Sequence, residues 1–241
     1  MDDFKLADGQ SLADFLNGGV LFEAEVIRSS TEIREASKRG YKREWLDARL
    51  LLLSMIAKLF ASKSGVPGAT NADRSDRILL IGSFLQGVAV TETLVSEGQY
   101  IKAAAVLKQD YEILTRIRET KVGAAKVGQN PQVRHAPEGS QHFYGDLNKI
   151  AHPSNPHVIA DLLHVHEVGD VVGPTYVPRY IPETANSLYE LHVWLLLEIA
   201  REIVLLFFEM YDADDPSIRS ALFEMAVVLD LVKQAGFRIE A

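Results

Sequence analysis

The chain has 241 residues, no cysteine, 47% hydrophobic residues and a formal charge of −8. That length buries a sizeable core in one large domain or two small ones, and the composition is that of a globular protein. The missing cysteine excludes disulfides, thiolate zinc sites and cysteine nucleophiles, and the acidic balance disfavours general nucleic-acid binding.

The opening MDDFKLADGQ is acidic and has no basic region leading into an apolar run. No signal peptide is expected, and the chain reads as cytoplasmic. Ser11 is a candidate N-cap for a long amphipathic helix that ends at Gly40, with a bend expected at Gly18-Gly19. Residues 28–43 hold six basic and two acidic side chains, and the alternating signs in EIREASKR mark a solvated helix face. A second helix over 43–62 is expected to bury Trp45, Leu50, Leu53, Ile56 and Phe60. SKSGVPGATNADRS reads as a loop.

A third helix, about 73–97, has no charge between Arg77 and Glu92, which predicts a central place in the bundle. Gly82, Gly87, Ala89 and Thr93 leave room for close backbone approach. A single-glycine turn at Gly98 leads into QYIKAAAVLKQDYEILTRIRET, and these two helices are expected to pair antiparallel as the core. Residues 122–139 read as a mobile loop.

The stretch QHFYGDLNKIAHPSNP follows. Phe143, Leu147 and Ile150 form an apolar face of a helix over 140–151, with Tyr144, Asn148 and His152 on the adjoining stripe. Pro153 disfavours helical geometry at His152, and Pro156 is expected to keep the helix from resuming. The period then changes. LLHVHEV and VVGPTYVP around Gly169-Asp170 read as a β-hairpin near 161–178, with Pro174 and Pro178 confining the second strand to an edge.

The longest helix, over 183–212, has two apolar stripes and is expected to be buried from two directions. Its charges, and Lys58 in the second helix, argue against membrane spans over 188–210 and 49–61, so no membrane partner is expected. Asp215 and Pro216 open a last helix over 217–235, closed by Gly236. With no linker and no repeat, the prediction is a single all-α domain over 1–241. It is a helical bundle of about six to seven helices with a small β-hairpin insertion.

The chain has no Glu-x-x-His pair, and the nearest relative is Asp161-x-x-His164, so neither a metal nor another cofactor is expected. A phosphate-cradling Gly-rich loop and a nucleophile elbow are likewise missing from the sequence. What gathers is Tyr144, Asp146, Asn148, Lys149 and His152, with Glu112, Arg116, Arg118 and Lys121 on the preceding helix. Residues 116–149 hold six basic and three acidic side chains. A histidine beside a cation and an amide suits the polarisation of a phosphodiester: His152 for proton transfer, Arg116, Arg118 or Lys121 for the developing charge. A structural role is equally physical, with Tyr144 and Asn148 bonding neighbouring backbone and His152 capping its own helix.

In EGQYIKAAAVLKQDYEILTRIRE, carrying Glu112 and Arg116, and in YGDLNKIAHPSNP the chain resembles bacterial all-helical families of the HEPN superfamily (higher eukaryotes and prokaryotes nucleotide-binding). The resemblance covers about the central third of the chain. It implies a helical bundle, a homodimer, and metal-independent ribonuclease chemistry of toxin or phage-defence systems, with His152 as the catalytic histidine. It also implies an arginine four to six residues before that histidine, where this chain has Gly145, Asp146 and Leu147. Two function classes follow. One is a ribonuclease or RNA-binding protein, with Arg116, Arg118 or Lys149 standing in for the arginine. The other is a non-catalytic module that dimerises or binds a protein partner. Binding of a small ligand in the core, near Gln86 and Glu92, is a third and thinner reading.

Overall fold

The computed structural model describes residues 11–152, 156–163, 165–168, 171–212 and 214–236, without the side chains of residues 12, 165–168 and 171–174. Eight α-helices stand among them: α1 Leu12–Gly40, α2 Arg43–Lys63, α3 Ala72–Ser96, α4 Tyr100–Lys121, α5 Gln141–Ala151, α6 Pro156–Leu163, α7 Pro182–Met210 and α8 Pro216–Gln234. The architecture is an all-α bundle. Helix starts follow local chemistry: Ser11 accepts from the Asp14 N–H, Asn71 from Arg74, and Asp215 from Ser217. Proline stands at the start of α6, α7 and α8, where its missing N–H costs nothing. Thus Pro156, expected to delay the next helix, instead opens one.

The hairpin expected over 161–178 does not stand there as drawn. Residues 161–163 close α6, 164 and 169–170 lie outside the described residues, and 175–178 carry no strand. Between them only a four-pair antiparallel ladder remains, β1 Val165–Val168 against β2 Val171–Pro174.

Helix α7 is the centre. Every residue from 191 to 200 is buried, as its two apolar stripes require. The α3/α4 pair packs on one side of it and α2 with α8 on another, while α5 lies on α4. Trp45, Ala48, Leu52, Met55, Ile56 and Leu59 form the inner face of α2. Leu50 and Phe60 are exposed, so the predicted face was turned by part of a helical turn. Ala103 and Ala104 are fully buried and let α4 approach closely. Between α3 and α4, Gly98 has φ +77°, and a Cβ there would lie 2.6 Å from the Arg179 carbonyl oxygen, so only glycine fits.

The central place predicted for α3 is corrected. Leu79 and Val90 are 72% and 54% exposed, and a Cβ at Gly82 would meet nothing within 4 Å. Among the described residues α3 is the one helix long and apolar enough to cross a membrane by length and composition, with only 28% of that window buried. The sequence argument against membrane spans weighed 49–61 and 188–210 and not this segment. Helix α3 lies against α4 and α7, and its Arg77, 2% exposed, makes a two-pronged pair with Glu209 of α7.

Asp110 and His192 are buried without a charged partner in contact. Asp110 on α4 is 4% exposed and meets the Thr91 hydroxyl at 3.1 Å, and burial pushes its carboxyl up to about 7. Thr91 Oγ1 also lies 3.2 Å from the Gly87 carbonyl oxygen. Thr91 Oγ1 stands within donating distance of both Asp110 Oδ2 and the Gly87 carbonyl, and its bond to Asp110 favours the ionised carboxyl against the larger effect of burial. His192 on α7 is fully buried with no hydrogen-bond partner on either ring nitrogen among the described residues. Burial, then the nearby Arg49 charge, pushes it down to about 3.

The two groups oppose each other. His192 titrates lower folded than unfolded, so its contribution is complete above the unfolded value and is lost as pH falls from 6.5 toward 3. Asp110 titrates higher folded than unfolded, so its contribution is complete below 3.8 and is lost as pH rises toward 7. Asp110→Asn is expected to leave the histidine slope exposed, with stability rising between pH 4.5 and 6.5 by up to about 1.4 kcal/mol per unit. His192→Leu is expected to reverse that slope. Urea unfolding of both variants across this range measures it, and parallel profiles would refute the assignment.

Candidate functional site

The polar groups singled out in the sequence sit on α4 and α5, and the structure divides them into three sets. The first lies where α5 crosses α4. Leu147 is buried, and Phe143 packs its ring 5.4 Å from that of Trp194 on α7, which fixes the roll of α5. Tyr144 then faces α4, and its hydroxyl donates to Glu112 Oε1 at 3.1 Å. Lys108 Nζ lies 3.7 Å from the same oxygen and 5.4 Å from the centre of the Tyr144 ring. Burial first, then the Glu112 bond and charge, push the Tyr144 phenol upward, so it stays protonated at neutral pH. Below it, the Tyr111 hydroxyl meets Ser140, and Ser140 donates to the Pro137 carbonyl at 2.6 Å. This is a positioning lattice for the start of α5.

The second set is the outer face of α5. Asp146, Asn148, Lys149 and His152 are exposed. Lys149 pairs with Asp146 one turn back at 2.9 Å, with both side chains more than half exposed. Such a pair contributes little. His152 is the C-cap residue of α5, extended at φ −93° and ψ 123°, and its backbone N–H donates to the Asn148 carbonyl at 3.1 Å. The helix stops there because the following proline disfavours helical geometry at His152.

The third set is the cations of α4, and they turn elsewhere. Arg116 pairs with the buried Glu119 at 2.8 Å and donates to the carbonyls of Lys126 and Gln129. Glu119 in turn accepts from the Gln132 N–H at 2.6 Å. The loop over 122–139, expected to be mobile, is therefore tied to α4 at several points. Arg118 reaches Glu202 at 3.0 Å and Glu198 at 2.7 Å on α7. Lys121 stands 3.6 Å from Glu202, and Arg201 pairs with Glu198 at 2.9 Å. Glu198 and Glu202 are 2% and 4% exposed. Arg116 and Lys121, expected to meet the motif helix, are engaged by the loop and by α7 instead.

Sequence reasoning passed over Glu198, Glu202, His192 and Asp110. The signal for the first two was their spacing of four inside an otherwise apolar run, which puts both carboxylates on one face. His192 offered only a lone polar residue in LHVWLLL. Among the described residues no three metal-ligating side chains come together; the side chains of His164 and His166 lie outside those residues. Comparison with protein-family models, with curated proteins and with solved structures finds no match.

Arg118→Ala is expected to destabilise the fold by roughly 3 kcal/mol, because it leaves two buried carboxylates undercompensated. Lys149→Ala should stay within about 0.5 kcal/mol of the parent. Denaturant unfolding at neutral pH measures both, and equal effects would show that the Arg118 network is not structural.

Proposed function

We propose that this chain is a non-catalytic helical module of degenerate HEPN kind that works by association, first with a second copy of itself. One observation carries the reading. Residues 13–24 of α1 are exposed without interruption, although they include Phe15, Leu16, Val20, Leu21 and Phe22. The second half of α1 is anchored: Ile33 and Ser37 are buried, Arg34 pairs with Glu97, and Ser29 donates to the Pro178 carbonyl at 3.0 Å. The first half is an apolar arm. Leu16, Val20 and Ile27 repeat at spacings of four and seven and are 57%, 63% and 66% exposed, a seam suited to a partner helix. Two identical arms supply identical stripes, which is what an isologous pair needs. The engaged state of Arg116, Arg118 and Lys121 supports the same reading, since a phosphate ligand would have to break structural ion pairs to reach them.

The ribonuclease reading keeps one observation in its favour. His152, Asn148 and Lys149 stand exposed together near the end of α5, open to a polymeric substrate. Its cation would have to be Lys149, already paired with Asp146.

Sedimentation velocity at micromolar protein is expected to show a dimer for the parent. Leu16→Glu/Val20→Glu is expected to be monomeric with an unchanged helical content, because both side chains are exposed. A monomeric parent would sink the association reading. Incubated with total RNA in EDTA, parent and His152→Ala are expected to leave it intact alike. Cleavage by the parent alone would replace this proposal with the ribonuclease.

A further inference from the structure

We infer that the outer face of α8 is a second association face: it seats the same face of another copy, antiparallel about a two-fold axis, and so joins arm-paired dimers into larger assemblies. The buried side of α8 carries Ile218, Ala221, Met225, Val228 and Val232. At about 100° per residue, Arg219, Phe223, Ala226 and Asp230 fall together on the opposite side, and all four are exposed. Phe223 is 73% exposed, more than any other phenylalanine or tyrosine among the described residues. Leu222 and Val227, 44% and 40% exposed, stand on the two shoulders of the stripe. An aromatic ring held in water between two exposed aliphatic side chains is a contact surface rather than a scattered apolar residue.

The order of the stripe identifies its occupant. Along α8 it reads cation, large, small, anion: Arg219, Phe223, Ala226 and Asp230, at spacings of four, three and four. Reversed, the stripe is its own complement. An antiparallel copy that sets Phe223 against the second copy's Ala226 also sets Arg219 against the second copy's Asp230, and the two-fold axis repeats both pairs. Ring meets methyl in the middle, and cation meets anion at both ends. A parallel copy in register would instead oppose Arg219 to Arg219 and Asp230 to Asp230. Asp230 has no ion-pair partner among the described residues. Arg219 pairs with Asp214 of its own chain, but those side chains are 63% and 79% exposed, so the pair is solvated and weak. The guanidinium has N–H groups enough for both carboxylates. From Arg219 to Asp230 is about 16 Å of helix, so the contact belongs to the small, transient class and stays empty at micromolar protein. Helix α8 packs on α2 and α7, and α1 on α3 and α7, so this face stands whether or not the arms pair.

The test is sedimentation equilibrium on the full chain with its arms disabled by Leu16→Glu/Val20→Glu. From micromolar to millimolar protein this chain is expected to pass from monomer to dimer. In the same background Arg219→Asp and Asp230→Arg each oppose like charges twice, and each is expected to weaken the dimer at least about tenfold. Mixed in equal amounts, the two variants are expected to associate with each other about as strongly as the arm-disabled chain with itself, because each supplies the charge the other lacks. Phe223→Ser is expected to stay monomeric throughout. An arm-disabled chain that remains monomeric at millimolar protein, its α8 face taken by other segments or left bare, overturns the inference. So does a mixture that associates no better than either variant alone, or a Phe223→Ser protein that dimerises undiminished. The substituted side chains of α8 are exposed, so the fold does not depend on them. A monomeric parent at micromolar protein, which overturns arm pairing, leaves the charge mixture as a readout of α8 alone.

Discussion

Two carboxylates at the centre of the bundle set the terms for what surrounds them. Glu198 and Glu202 ride on α7 into a region with almost no water contact. Uncompensated, each would cost several kcal/mol of desolvation. Arg118 and Lys121 of α4 and Arg201 of α7 supply the opposite charge. This requirement fixes the rotation of α4 about its axis, because Arg118 and Lys121 must face α7. A helix advances about 100° per residue, so Arg116, two positions earlier, points roughly 200° away. There it meets Glu119 and the loop carbonyls. One electrostatic constraint thus separates Arg116 from Arg118 and Lys121 onto two faces of α4 and commits all three to structure.

The consequence for function is direct. A phosphodiester-handling site on α5 would need a cation beside His152, and the arrangement of α4 directs Arg116, Arg118 and Lys121 elsewhere. What α5 shows to solvent is a short polar face resting on Tyr144, Glu112 and Lys108. The apolar surface that folding leaves uncovered is elsewhere, on the first half of α1 and the outer side of α3. Arg116, Arg118 and Lys121 spent on internal pairs, with apolar faces left open on α1 and α3, support the association reading proposed above.

Asp110 and His192 complete the contrast. They are as buried as the two glutamates, but neither touches an opposite charge. Burial therefore opposes the charge of each: it pushes Asp110 up to about 7 against the Thr91 bond, and keeps His192 neutral with no hydrogen bond on its ring nitrogens among the described residues. Burial with a cation keeps a carboxylate charged in the core, whereas burial without one removes the charge.

The sequence by itself determined seven of the eight described α-helices and most of their ends, α6 being the exception. Ser11, Asn71, Asp215 and Pro216 act within one turn of the backbone they cap, and the two stripes of α7 announced a helix covered from two sides. It also determined where α5 stops, since Pro153 restricts the residue before it. Tertiary structure decided the rest. Composition alone put α3 in the middle, yet position in a bundle depends on how many neighbours a helix has, and α7 took that place. Glu198 and Glu202 looked like interruptions of an apolar run until their partners on α4 came into register with them. Whether Arg118 is free to bind a ligand or engaged in the fold is a matter of contacts between residues some 80 positions apart in sequence, as its bond with Glu202 shows. Local patterns fix what a segment becomes. Long-range packing fixes which of its side chains remain available.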